Sequence, residues 1–277
     1  MKFQYFTFFL NPVANLFEDK REKIEILKEI LKTEKPITYK KGSTQLAYVF
    51  KRESNNHIVA RLGRKSLITR NLSPNEQFQE TQEENWPYCE VLFNLDKDPE
   101  KGQKIAFAFK SYIFSSPYEQ LKGLADEINS HLMMSGYVIA ISPVTKEKKF
   151  WDLIKENRGK IEKLSLSFNA PNLFNLKNNF NEELKEAQDK LNLNKATIEF
   201  ENTLGQLSVP EDDELIKQGV EYITKGGGEY SLKIKGRGRK VISSKDNIET
   251  KAFDFEDLEI ISSTPELLEI TIKNIFE

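Results

Sequence analysis

The chain has 277 residues, enough to bury a sizeable core and to form one large domain or two modest ones. Nineteen Phe and nine Tyr argue against disorder, and a formal charge of -2, from 41 basic and 43 acidic residues, argues against a wholly cationic surface. Any contact with nucleic acid must then come from local patches. A single cysteine, Cys89, excludes an intramolecular disulfide and a multi-thiolate zinc site and fits a reducing, cytoplasmic compartment.

The opening Lys2–Leu10 is too short and too interrupted for a secretory core, lacks a small-residue cleavage site and reads as a buried first strand. No apolar stretch approaches the roughly 20 residues that span a bilayer, so no membrane insertion is expected. Glu18 to Lys32 has amphipathic helical spacing, with Ile24, Leu27, Ile30 and Leu31 on one side, and Pro36 ends it. Thr44–Phe50 and His57–Leu62 alternate about a polar turn and predict a hairpin.

Residues 71–87 are polar and acidic and read as a long loop before strands at Tyr88–Leu95 and Ile105–Phe109. Ser116-Pro117-Tyr118-Glu119 has the residues of a capping box and predicts a helix from Pro117 to about Leu132. Then follow a strand at Tyr137–Ile141, a helix at Lys146–Glu156 and a strand at Ile161–Phe168. Beyond these come a polar helix over Asn179–Leu191, a strand at Thr197–Phe200 and a helix over Pro210–Thr224. A strand at Tyr230–Ile234 and a final apolar stretch, Leu267–Phe276, complete the chain; Thr264-Pro265-Glu266 points to a helix there, although Ile270 and Ile272 would also suit a strand. This order predicts an α/β or α+β protein, its sheets largely antiparallel with flanking helices, in two subdomains at residues 1–157 and 158–277.

Catalytic signals are scarce. His57 and His131 lie far from any partner at metal-ligand spacing, and Gly226-Gly227-Gly228 lacks the Lys-Ser/Thr of a phosphate loop. No catalytic residue, metal or cofactor is assigned. A metal-dependent nuclease, with carboxylates drawn from Glu90, Asp96, Glu199, Glu201 and Glu229 beside Lys233, stands as an alternative. The acidic run Glu211–Glu214 reads as a helix start, and Phe253–Glu259 as an acidic-aromatic partner surface of an adaptor.

Charge segregates instead. Residues 40–70 carry eight Lys or Arg side chains against Glu53 alone, and residues 225–245 carry seven against Glu229 alone. Lys233 and Lys235 share one strand face, and the glycines of Gly236-Arg237-Gly238-Arg239 let a loop follow closely. Arg61, Arg64, Lys65, Lys233, Lys235, Arg237, Arg239 and Lys240 are the candidate phosphate contacts, and such contacts give salt-dependent binding without sequence preference. The competing reading is a solvated sheet face whose edge lysines oppose aggregation.

Several segments, taken together, resemble a known family: Trp86-Pro87-Tyr88 to Phe93, Ile105–Phe114 with the helix after it, Leu164-Ser165-Leu166-Ser167-Phe168-Asn169-Ala170-Pro171, the polar helix, and the Lys/Gly-rich pair of strands near Tyr230–Val241. This pattern, over about the last two thirds of the chain, resembles the RexA exclusion proteins of lambdoid phages and, more loosely, the KwaB subunit of Kiwa-type defence. The resemblance implies a homodimeric α/β protein that binds DNA with little sequence preference and acts in anti-phage defence beside a second protein. It transfers no catalytic residue and leaves the role of the N-terminal segment open.

Overall fold

In a computed structural model, described for residues 1–13, 21–96, 103–169, 190, 191, 193, 195–236, 240–255 and 264–277, fourteen strands and five helices form an antiparallel α+β architecture. The first strand, β1 (Lys2–Pro12), is the spine of the larger sheet. Its residues from Phe3 to Leu10 are nearly all buried, which is why the segment reads as apolar almost throughout.

Helix α1 (Lys23–Leu31) buries Ile26, Leu27 and Leu31, a shorter span than the 18–32 expected; part of that span lies outside the described residues. Strands β2 (Ile37–Lys41), β3 (Thr44–Ser54) and β4 (His57–Arg64) form a meander in which the expected hairpin turns at Asn55, with φ 51°. The stretch read as a long loop, residues 71–87, contains strand β6 (Glu80–Asn85), which pairs with the unexpected β5 (Ser66–Asn71) just before it to form a ribbon. Its residues are exposed or half-buried on both faces, so the alternation that betrays a strand never arises.

Strands β7 (Tyr88–Asn94) and β8 (Gln103–Ala108) return to the sheet, followed by α2 (Pro117–Leu132) and β9 (Tyr137–Pro143). Helix α2 begins where expected, although the Ser116 side chain makes no capping hydrogen bond. Helix α3 (Glu147–Glu156) leads to the second sheet, built from β10 (Ile161–Asn169), β11 (Lys195–Glu201), β12 (Gly228–Ile234) and β13 (Lys240–Ser243). Between β11 and β12, α4 (Glu214–Tyr222) starts with Asp213 accepting from the Ile216 N–H at 3.0 Å, so the acidic run leads into the helix cap, and the helix is shorter than the expected Pro210–Thr224. Finally, β14 (Thr250–Ala252) and α5 (Pro265–Phe276), capped by Thr264, return to the first sheet. The expected helix over Asn179–Leu191 lies almost wholly outside the described residues.

The first sheet runs β14-β1-β8-β7-β4-β3-β2, with β9 sharing the β14 edge of β1; the second runs β11-β10-β12-β13. One face of the first sheet packs on α1 and α2 through Phe6, Phe8, Tyr48, Phe93 and Phe107. Part of its other face packs on α5 through Phe3, Tyr5, Val59 and Leu92 against Leu268, Ile272 and Ile275. The second sheet buries Leu164, Leu166, Phe168, Tyr230 and Leu232 against α3 and α4. The expected boundary near 157 falls just before β10; α3 already packs in the second core, and residues 250–252 and 265–276 belong to the first sheet. Among the described residues no helix is long and apolar enough to cross a membrane.

Candidate nucleic-acid interface

Helix α5 covers only part of the outer face of the first sheet. Because strand side chains alternate, Thr38, Ala47, Gly63 and Tyr88 line up across β2, β3, β4 and β7, and Val49, Arg61 and Glu90 form the next row. The small residues Ala47 and Gly63 keep the floor low. The result is a basin of about 400 Å³ lined by Pro36, Ala47, Val49, Trp86 and Tyr88, with Lys51 and Arg61 at its side.

The Arg61 guanidinium carbon lies 4.2 Å from the centre of the Tyr88 ring, and Lys110 Nζ lies 5.4 Å from the same ring. Beneath them Glu90, only 4% exposed, stands 3.3 Å from Lys110 Nζ. Burial acts to lower the Lys110 ammonium, but the charge and hydrogen bond of Glu90 outweigh it and hold Lys110 above its ordinary value. At the rim, Glu84 accepts from Trp86 Nε1 at 2.7 Å and pairs with Lys65 Nζ at 2.6 Å, and these partners hold its carboxyl below the usual range. The neighbouring Cys89 faces the opposite core, and burial pushes its thiol up to about 12, leaving no reactive thiolate at neutral pH.

Sequence segregation of charge does not survive pairing intact. Strand β6 brings Glu83 to Arg70 at 3.3 Å and Glu84 to Lys65, α2 brings Glu119 to Lys41 at 2.9 Å, and Arg64 donates to the Tyr112 carbonyl at 3.2 Å. Exposed Lys40 projects from the same face as Arg61. Of the eight candidate contacts, Arg61 thus lines the basin, Lys65 stands at its rim and Arg64 lies at the adjoining strand end. Trp86 and Lys110 were missed: neither belongs to a charge run, and only the register of β7 and the turn after β8 bring them to Arg61.

The second stretch forms the expected strand pair, with Ile234 opposite Lys240. On the open face of that sheet Lys233 pairs with Glu162 at 2.7 Å, Lys163 pairs with Glu199 at 2.7 Å, and Lys235 donates to the Leu204 carbonyl at 3.1 Å. Arg237, Arg239 and the Lys240 side chain lie outside the described residues. The nuclease alternative divides: Glu199, Glu201, Glu229 and Lys233 share the second sheet's open face, whereas Glu90 and Asp96 belong to the first. Glu199 is held by Lys163 and Glu229 accepts from the Tyr118 hydroxyl, and among the described residues no group of three His, Cys, Asp or Glu could hold a metal ion. Of the adaptor surface, Phe253 and Phe255 turn inward onto Phe3, at 5.8 and 6.3 Å between ring centres, and residues 256–260 lie outside the described set.

Fold and site together define an antiparallel α+β protein with a cation-edged aromatic sheet face that, among the described residues, no element covers. No protein-family model, curated protein or solved structure matches the chain.

Proposed function

We propose that the chain binds nucleic acid on the uncovered face of the first sheet, with little sequence preference. The observation that carries this reading is that Lys40, Lys51 and Arg61 share that face with Tyr88 and Trp86, beside Lys65 and Lys110. Cations on one sheet face can follow a phosphate backbone and release its counterions, with no base-specific group required. The resemblance to RexA-type proteins supports DNA as the first form to test, a cytoplasmic setting in anti-phage defence, a homodimer and a second defence protein as partner. Lys233, paired with Glu162, and Lys235, which donates to the Leu204 carbonyl, give a second, subsidiary candidate surface on the other sheet, and the expected contacts of Arg237, Arg239 and Lys240 lie outside the described side chains.

Anisotropy titration with a labelled DNA duplex at two salt concentrations tests the reading. Binding is expected to weaken steeply with salt, and the double change Lys51→Glu, Arg61→Glu to weaken it by roughly tenfold or more. Lys233→Glu is expected to have the smaller effect. Unchanged affinity in a folded double variant overturns the assignment to this face, and Mg²⁺-dependent cleavage in parallel samples favours the nuclease alternative.

A further inference from the structure

Phosphate binding alone does not explain the floor of the basin. A surface made only to hold a duplex needs cations, because the duplex offers its phosphates and hides the faces of its bases. Here the cations border a floor of Pro36, Ala47, Val49, Gly63, Trp86 and Tyr88, and the basin is far more apolar than polar. Val49 is 38% exposed. A phosphate gains nothing by displacing water from such a floor, whereas a flat base with apolar faces and polar edges does.

The geometry points to unpaired bases of a single-stranded nucleic acid as the occupants of this basin. The inference rests on the nucleic-acid reading of the same face and names its substrate class. Stacking on aromatic rings and guanidinium planes is how single strands are held without sequence preference, and the basin offers both: the Arg61 guanidinium, itself backed by the Tyr88 ring, and Trp86. Trp86 is held at the edge of the floor: its Nε1 is anchored by Glu84, and a Cβ on Gly63 would lie 3.9 Å from its Cε3. Glu84 and the buried Glu90 place negative charge beside the floor and leave phosphates to Lys40, Lys51 and Arg61 at the margin. Charge and chemistry therefore separate along the basin as they do along a single strand, with bases inward and phosphates outward.

Intrinsic fluorescence gives a direct test, because Trp86 lies at the basin and the only other tryptophan, Trp151, is buried in the second core. Full-length protein is titrated with a thymidine 20-mer, an abasic 20-mer of equal charge and a 20-base-pair duplex. The thymidine strand is expected to bind about tenfold or more tighter than the abasic strand, since one stacked base contributes on the order of 1–3 kcal/mol, and to change Trp86 emission. Trp86→Phe abolishes that emission change, and Trp86→Ala weakens the thymidine strand by about tenfold while moving the abasic strand by less than about twofold. If Trp86→Ala fails to fold, by circular dichroism, Trp86→Phe with the abasic comparison decides alone. Equal, salt-dependent binding of all three probes with constant Trp86 emission overturns the inference and leaves phosphate binding standing. No binding of any probe overturns the nucleic-acid reading beneath it.

Discussion

Glu84 and Glu53 are single carboxylates that each tie two side chains. Glu84 joins Lys65 to Trp86 at the basin rim; Glu53, on β3, pairs with both Lys28 and Lys32 around the end of α1. Burial acts to raise the Glu53 carboxyl, but the hydrogen bonds from Lys28 and Lys32 outweigh it and leave it below its ordinary value. A folded-state value below the unfolded one means stability that is present above the ordinary carboxylate range and lost as pH falls through the lowered value. Thermal melts are therefore expected to show Glu53→Gln below wild type at pH 7 and the two converging in acid, below the ordinary carboxylate range. A gap that persists in acid refutes the assignment. Sequence placed Glu53 in a polar turn between two strands, and nothing in its neighbours announced the two lysines some twenty residues earlier.

The glycine run shows the same limit. Gly226 has φ +93°, as a turn glycine should, but Gly228 is extended, and a Cβ there would stand 1.9 Å from the Ser167 carbonyl oxygen. Its absence of a side chain serves the close approach of β12 to β10, a demand invisible until the strands pair.

Among the elements, strongly periodic or well-punctuated segments were legible: α2 from its first-turn proline, α5 from Thr264 and Pro265, and β10 from its alternation. The ribbon β5–β6 was not, because an uncovered ribbon carries no hydrophobic period. Leu67 and Phe78 are 64% and 63% exposed, and a two-stranded ribbon without a covered face is marginal in water. Hydrogen exchange followed by mass spectrometry is expected to show residues 66–85 exchanging orders of magnitude faster than the central strands β4 and β7. Slow exchange in the ribbon would show that a partner covers it, the place where the proposed homodimer is best sought.

At the scale of the molecule, the two sheets meet through polar contacts. Asn169 donates to Ser142 Oγ at 2.6 Å, the Thr145 N–H donates to the Thr224 carbonyl at 2.9 Å, and the Tyr118 hydroxyl donates to Glu229. Tyr118 is 2% exposed, so Tyr118→Phe keeps the packed ring and leaves Glu229 without its donor. A loss of about 1–2 kcal/mol is expected in urea denaturation. The signals of Trp86 in the first unit and Trp151 in the second are expected to share one midpoint in wild type and to separate in the variant. Coincident and unshifted midpoints in the variant would show that the junction does not depend on this bond.

By itself the sequence determined the class of fold and most of the strongly patterned elements, because burial on one face writes a period into the chain. It also located two basic stretches, one of which contributes Arg61 and Lys65 to the basin. Only the tertiary structure decided which cations meet carboxylates and which meet aromatics: Lys65 with Glu84, Lys233 with Glu162, Arg61 with Tyr88. Register across antiparallel strands sets those neighbours, and register follows from turns and core packing that no local count of charges contains.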